Sequence, residues 1–183
     1  MRIRALKANV TREQAVEQFS ARGLSRILRN QMFGPLRSVA EFYVPFRIFR
    51  MRMENRGVMN ENLVALDAVS GTLDLFQFDH LPTDSETMHL ETRNCAPAEL
   101  ENGSAVELVT AKLRRVLYSR GFFRMSNLAI TATPLEEELF IPYWLGFRGS
   151  DGSARVAVID AVRRKFEGAK VRRLVVNWLS AKQ

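Results

Sequence analysis

A short set of sequence anchors occurs twice in this chain, in the same order, and constrains its fold more than any other feature. The three anchors recur at offsets of 90, 97 and 93 positions: Ala15-Val16-Glu17 with Ala105-Val106-Glu107, Pro45 with Pro142, and Asp67-Ala68-Val69 with Asp160-Ala161-Val162. Solenoid repeats have periods of roughly 20 to 50 residues, so this much longer spacing indicates a duplicated half-domain. Insertions and deletions in surface loops account for the changing offset.

Both copies begin with a helix signal and continue as strands. Thr11 with Gln14, and Ser104 with Glu107, have the spacing of capping boxes. The first predicts a helix over Arg12–Gln31, and the second predicts a helix that ends near Gly121. Runs of β-branched and aromatic residues predict strands at Leu36–Met53, with a bulge at Ile48-Phe49, and at Leu63–Asp67, Leu73–Phe78, Met125–Thr133, Leu139–Phe147 and Ala154–Asp160. Ser150-Asp151-Gly152 predicts a hairpin turn before the last of these strands.

These elements predict an α+β protein of two related halves, each with one helix packed on an antiparallel sheet of about three to four strands. A C-terminal helix follows, with an apolar stripe of Val171, Leu174, Val175, Trp178 and Leu179. The halves cover residues 1–79 and 104–183, joined by a polar connector at 80–103 with a short element near Met88–Leu90, and they could form one compact domain. The pattern leaves open whether they share a sheet edge or pack face to face.

The segment Val64-Ala65-Leu66-Asp67-Ala68-Val69-Ser70-Gly71-Thr72-Leu73 resembles the closing strand-turn-strand of PepSY-type repeats. The order of a helix followed by a sheet is also similar to that family and to its relatives with the beta-lactamase-inhibitor-protein fold, which can occur as tandem pairs. The second copy departs from the pattern because Arg163-Arg164-Lys165 replaces the glycine turn. The resemblance implies a module that binds or inhibits other proteins and is generally not a catalyst.

Charge is distributed unevenly along a chain of formal net charge +7. Residues 1–50 carry ten basic and three acidic side chains, residues 51–150 carry nine and fourteen, and residues 151–183 carry eight and three. Basic ends can bind polyanions, or they can fold against the acidic middle or stay solvated. No apolar run is long enough for a transmembrane helix, and no export signal follows Met1, so we expect a cytoplasmic protein with no integral membrane association.

Residue types that carry catalysis are sparse. His80 and His89 lack the close helical spacing of metal ligands, and the single Cys95 excludes an internal disulfide framework and a zinc site built from cysteines. Glu136-Glu137-Glu138 could bind a cation but is typical of a solvated turn. Asp67 and Asp160 could form a carboxylate pair, but strand-end aspartates commonly accept hydrogen bonds from turn amides. We therefore expect no catalytic residues, metal or cofactor, with a small-molecule or metal-dependent enzyme as the third possibility.

The sequence offers two kinds of binding site. A proline within a sheet belongs on an edge or at a bulge, so Pro45 and Pro142 predict an edge, covered or open, to which a partner strand or a second subunit could add. The aromatic neighbours complete this candidate partner-binding set: Tyr43, Pro45, Phe46, Pro142, Tyr143 and Trp144.

Basic residues give the second kind of site. The candidate polyanion-binding residues are Arg47, Arg50 and Arg52 on one predicted strand, and Arg163, Arg164 and Lys165, with Arg172 and Arg173 nearby. Either set could instead be a solvated surface. The sequence thus predicts a non-enzymatic protein-binding or regulatory module with a protein partner or homo-oligomer, and the alternative is a nucleic-acid-binding module that uses a basic strand face.

Overall fold

The computed structural model describes residues 1–20, 34–55, 57–119, 128–149 and 155–182. The helices and strands of these ranges are, in chain order, β1 (Arg2–Leu6), α1 (Arg12–Ser20), β2 (Leu36–Asn55), β3 (Val58–Asp67), β4 (Phe76–Phe78), β5 (Thr87–Glu91), α2 (Asn102–Ser119), β6 (Ala129–Arg148), β7 (Arg155–Asp160), β8 (Lys165–Phe166) and α3 (Ala169–Ser180). All eight strands belong to one mixed sheet with the order β4-β3-β2-β6-β1-β5, and β7 pairs with β6 and β8.

Two strands of 20 residues, β2 and β6, form the centre of the sheet. They pair antiparallel along almost their whole lengths, from Leu36 opposite Arg148 to Glu54 opposite Ala129. Each strand then turns into a hairpin with the next, so β3 adds to β2 and β7 adds to β6. The register of the central pair shifts between Arg47 and Phe49, but the extra residues lie on β6, at 135–137, and β2 stays in register with β3 at this point. The bulge predicted at Ile48-Phe49 is therefore on the partner strand.

Backbone contacts repeat on the two sides of the central pair, around the point where Val44 lies opposite Ile141. In the first matched pair, the Ala68 amide donates to the Pro45 oxygen at 2.8 Å and the Ala161 amide donates to the Pro142 oxygen at 3.1 Å. In the second, the Glu99 amide donates to the Ala68 oxygen at 2.9 Å and the Asn9 amide donates to the Ala161 oxygen at 2.8 Å. The sequence anchors therefore lie in corresponding positions along the two central strands.

The predicted fold class is nevertheless wrong. There are not two units of one helix on a three- or four-stranded sheet, because β2 and β6 join all the strands into a single sheet. Helices α1 and α2 also each pack across both central strands, so their contacts include the hairpin that the prediction gave to the other half. Helix α1 packs on β6 and β7 in a cluster of Ala15, Phe19, Trp144 and Ile159. Helix α2 packs on β2 and β3 in a cluster of Ala105, Val109, Phe49 and Leu66.

The two prolines are buried within the central strands rather than placed on a free edge. Each lies where the neighbour on one side of its strand changes. Beside β2, at Pro45, the neighbour changes from the segment around Cys95 to β3. Beside β6, at Pro142, it changes from β1 to β7. A proline is tolerated at such a junction because it has no N–H group to leave without an acceptor.

Helix α3 covers the opposite side of the sheet from α1 and α2. Val171, Leu174 and Val175 are buried there, which confirms the amphipathic C-terminal helix. The ring of Trp178 lies 4.6 Å from that of Phe42, centroid to centroid. The same core contains side chains from both β1 and β4, which are far apart in the strand order, so the sheet curves around this helix.

The remaining differences from the predicted elements concern strands. The sequence patterns did not predict β1, and they placed only a short element within the connector, where β5 lies. They also divided β6 in two at Pro134, whereas the strand is continuous. The predicted helix beyond Ser20, the cap at Gly121 and the turn at Ser150–Gly152 lie outside the described residues. In the described ranges, no helix has the length and apolar character needed to cross a membrane.

Candidate functional site

The predicted partner-binding residues lie in the interior of the protein. All six are buried: Tyr43, Pro45, Phe46, Pro142, Tyr143 and Trp144. Trp144 donates its indole N–H to the Val10 carbonyl oxygen at 2.8 Å, which ties β6 to the start of α1. Burial raises the pKa of the Tyr43 hydroxyl, and the neighbouring Glu41 adds to this effect. The structure therefore gives these side chains a place in the core.

The predicted basic stripe on β2 is divided between the two faces of the sheet. Side chains alternate along a strand, so Arg47 faces the opposite side from Arg50 and Arg52. Both of the latter lie beside one carboxylate, with their Nε atoms 3.2 Å and 3.1 Å from the Glu61 oxygens. This ion-pair group weakens the positive potential that a polyanion would meet on that face.

Two residues of the second predicted basic set, Arg163 and Lys165, make contacts within the protein, and the third, Arg164, is exposed. The Arg163 guanidinium lies 3.8 Å from the centroid of the Phe76 ring and donates to the Leu75 carbonyl oxygen at 3.0 Å. Lys165 lies 3.4 Å from a Glu167 oxygen. Arg164 is exposed and has a φ of 58°, in the left-handed region. The equivalent turn after β3 has Gly71 at a φ of 66°.

Three other arginines converge on a pocket of about 300 Å³ at the end of the β6–β7 hairpin. Among the described residues, its lining consists of Phe19, Arg148, Arg155, Val156, Ala157, Phe166 and Arg172. We call this the arginine pocket. Its described lining combines three arginine side chains with predominantly apolar walls and includes no carboxylate.

Sheet pairing and local hydrogen bonds position these arginines. Arg148 ends β6 and lies opposite Arg155, the first residue of β7. The Arg148 side chain is buried, and it donates to the carbonyl oxygens of Phe19 and, at 3.0 Å, Gly34. Arg172 comes from the first turn of α3. The pocket thus collects basic side chains from a strand pair and from the helix that follows it in the chain.

Phe166 provides an aromatic wall that remains open to solvent. Its ring meets the buried Phe19 ring edge-on, with centroids 5.8 Å apart and an interplanar angle of 74°. The side chain is nevertheless 49% exposed. A half-exposed ring beside guanidinium groups can stack on a flat apolar group while the cations meet an attached anion.

The surroundings of the pocket are strongly basic. Residues 155–182 carry eight basic and two acidic side chains. Of the two carboxyls, Asp160 is buried within a turn and Glu167 is half-buried, and burial raises the pKa of both. Helix α3 has no acidic residue in its first turn and no side-chain hydrogen bond at its N-cap, Gly168. Cations at a helix N-terminus are unfavourable, and an anion bound there would relieve this repulsion.

Candidate catalytic residues of the sequence are dispersed. His80 is hydrogen-bonded to Glu86 at 3.1 Å, and His89 lies exposed on β5. Cys95 is half-buried beside the sulfur of Met1. Asp67 and Asp160 each accept hydrogen bonds from the amides of the turn that follows. Within the part of the chain that the structure describes, no group of three or more metal-ligating side chains comes together.

The sequence predictions named only Arg172 from the pocket, as part of a basic set. One signal could have identified two more residues: Arg148 and Arg155 flank the predicted turn at Ser150–Gly152 almost symmetrically, so a hairpin places them opposite each other. Phe19 and Phe166 gave no such signal, because their contact depends on how α1 packs against the second hairpin.

Comparisons with known proteins add no relative. No protein-family model matches the sequence, and no match was found among curated proteins or solved structures. The resemblance to PepSY-type repeats stays a prediction.

Proposed function

We propose that this protein is a non-enzymatic nucleic-acid-binding module whose ligand contacts the arginine pocket and the basic surface of residues 155–182. The observation that carries this proposal is the convergence of Arg148, Arg155 and Arg172 beside a half-exposed aromatic ring. Nucleic-acid-binding surfaces combine arginines for the phosphates with aromatic rings for the bases. This surface replaces the predicted Arg47/Arg50/Arg52 face, where Glu61 lies beside two of the three cations.

The test is the affinity of the full chain for a fluorescent single-stranded oligonucleotide of mixed sequence, measured between about 50 and 200 mM salt. We expect the double variant Arg155→Ala/Arg172→Ala to bind more weakly and to show a smaller salt dependence. Each lost phosphate contact lowers the slope of log affinity against log salt by about 0.7 for a single strand.

The matched control is Arg50→Ala/Arg52→Ala, which removes the same charge from the β2 face. We expect it to retain most of the affinity because both side chains already lie beside Glu61. The absence of binding by the wild-type chain at about 50 mM salt would contradict the proposal. Equal losses in the two double variants would also contradict it, since they would indicate a response to net charge rather than to the pocket.

A second candidate function is association with a protein partner, for which we propose a second copy of this chain. The observation in its favour is the outer edge of β6 at Ala129–Thr133. In the described ranges this segment pairs only with β2, and no described strand pairs with its other side. The segment contains no charged residue, and two copies could therefore pair antiparallel without repulsion.

Light scattering after size exclusion tests this candidate, with an expected dimer mass at tens of micromolar. The variant Thr131→Lys/Thr133→Lys should be monomeric because like charges would face each other across the new pair. A control with lysines at the exposed positions Thr72 and Asn177 should remain dimeric. A monomeric wild-type chain would remove this candidate.

A further inference from the structure

We infer that the arginine pocket receives one unstacked base of a single-stranded nucleic acid and that Phe166 is the ring on which this base stacks. This inference rests on the proposed nucleic-acid binding and adds a ligand form and a role for one residue. It predicts a preference for single strands over duplexes, and for strands with bases over a bare sugar-phosphate backbone.

The position of Phe166 favours base stacking. Large aromatic side chains usually bury most of their surface, yet this ring is 49% exposed on a two-residue edge strand. Its edge-on contact with Phe19 fixes one side of the pocket wall. Stacking of a base on such a ring covers apolar surface that the fold leaves in water.

The size and lining of the pocket favour a single base as the ligand. A volume of about 300 Å³ is at the lower end of the range for small-molecule sites, which suits one ring system rather than a double helix. Val156 and Ala157 add apolar contacts to the two phenylalanines. An inorganic anion alone would leave these walls uncovered, whereas a base joined to a phosphate would use both the walls and the cations.

The charge beyond the pocket favours a strand over a single nucleotide. Arg164 and Arg173 are exposed in the segment that forms this side of the protein. A single nucleotide would need only the pocket arginines, but a strand continuing past the pocket would meet these further cations. Bases within a duplex are paired and stacked, so withdrawing one costs free energy that a single strand does not have to supply.

Phe166→Leu and Phe166→Trp test the role of the ring, with a thymidine 12-mer, a 12-mer of abasic sugar phosphates and a duplex as probes. We expect Phe166→Leu to lower the affinity for the thymidine strand about 5- to 150-fold. Phe166→Trp should retain that affinity because it keeps a stacking surface. Neither change should alter binding of the abasic strand, and the wild-type chain should bind the duplex more weakly than the thymidine strand. Thermal unfolding of each variant verifies that the fold is retained, as expected for a half-exposed side chain.

The outcomes separate the two proposals. If the wild-type chain binds the abasic strand as tightly as the thymidine strand, or if Phe166→Leu leaves thymidine binding unchanged, base stacking is wrong while nucleic-acid binding stands. If the chain binds none of the three probes but binds heparin or anionic vesicles, both proposals fail and the pocket recognises a different polyanion.

Discussion

Two buried aspartates show how single side chains organise the ends of the paired hairpins. Asp67 accepts hydrogen bonds through both carboxylate oxygens, from the amides of Ser70 and Gly71 at one and of Leu73 at the other. Asp160 accepts hydrogen bonds through only one oxygen, from Val162 and Arg163. Its other oxygen has no hydrogen-bond partner among the described residues and lies 4.0 Å from the Arg163 Nε, at the limit of an ion pair. An asparagine side chain could therefore keep the existing hydrogen bonds at position 160 but not all of those at position 67.

This difference predicts unequal effects of the same substitution. Asp67→Asn should lower the free energy of unfolding by about 2–4 kcal/mol, because its NH₂ group would replace an oxygen that accepts a buried amide hydrogen bond. Asp160→Asn should cost about 1 kcal/mol or less, because the amide oxygen can keep both existing hydrogen bonds. Chemical denaturation of the two variants measures this difference.

The pH dependence of stability provides a control for the predicted effect of Asp160→Asn. Burial raises the pKa of the Asp160 carboxyl above its ordinary value of 3.8, so the folded protein binds a proton more readily than the unfolded chain. The wild-type protein should therefore gain stability relative to Asp160→Asn as the pH falls through the folded pKa. An equal cost of the two asparagine variants at pH 7 would contradict the role assigned to the second oxygen of Asp67.

At the scale of elements, the packing of α1 against the second hairpin depends on one glycine. A Cβ atom at Gly146 would lie 2.8 Å from the Phe19 ring, closer than real Cβ contacts. Phe19 is fully buried between α1 and β6, so the ring has little room to move. The glycine thus creates the space into which the helix of the other half inserts its largest side chain.

Gly146→Ala should consequently lower the free energy of unfolding by about 1–3 kcal/mol through overpacking. It should also weaken ligand binding at the arginine pocket, since Phe19 forms part of its wall. The control is Gly103→Ala in α2, where an added Cβ meets nothing within 4 Å and the helix propensity improves. Equal stabilities of the two alanine variants would show that α1 is not seated through Phe19.

Local patterns predicted the strands with strong apolar content and missed those that depend on remote partners. The segments Leu36–Met53 and Leu63–Asp67 carry β-branched and aromatic residues, and both form strands. In contrast, β1 and β5 are short and include charged or polar side chains, and they are held by pairing with each other across the sheet. Sequence periodicity carries no information about a partner more than 80 residues away.

The packing of each helix across both hairpins could not be predicted for a related reason. Both hairpins present an apolar face, and both helices present a small residue, Ala15 or Ala105, toward it. The pairing of β2 with β6 brings the two hairpins side by side, so each helix packs across both central strands. The arginine pocket depends on this packing, because Phe19 reaches it from α1.

The whole molecule combines a continuous sheet with one basic side. The eight basic residues of the segment 155–182 include two of the arginines of the pocket, and its two carboxyls are buried or half-buried. The β2 face, by comparison, brings Arg50 and Arg52 beside Glu61. The central claim is therefore that nucleic acid contacts the protein at the arginine pocket and not at β2.

Ultraviolet cross-linking of a thymidine oligonucleotide to the full chain, followed by mass spectrometry of the peptides, tests this claim most directly. Aromatic side chains stacked on a base are well placed to form such adducts. We expect the cross-linked nucleotide on the peptide that contains Phe166, and we expect the adduct to disappear in Arg155→Ala/Arg172→Ala. Adducts confined to peptides of β2 and β3, or adducts unaffected by loss of the two arginines, would contradict the account.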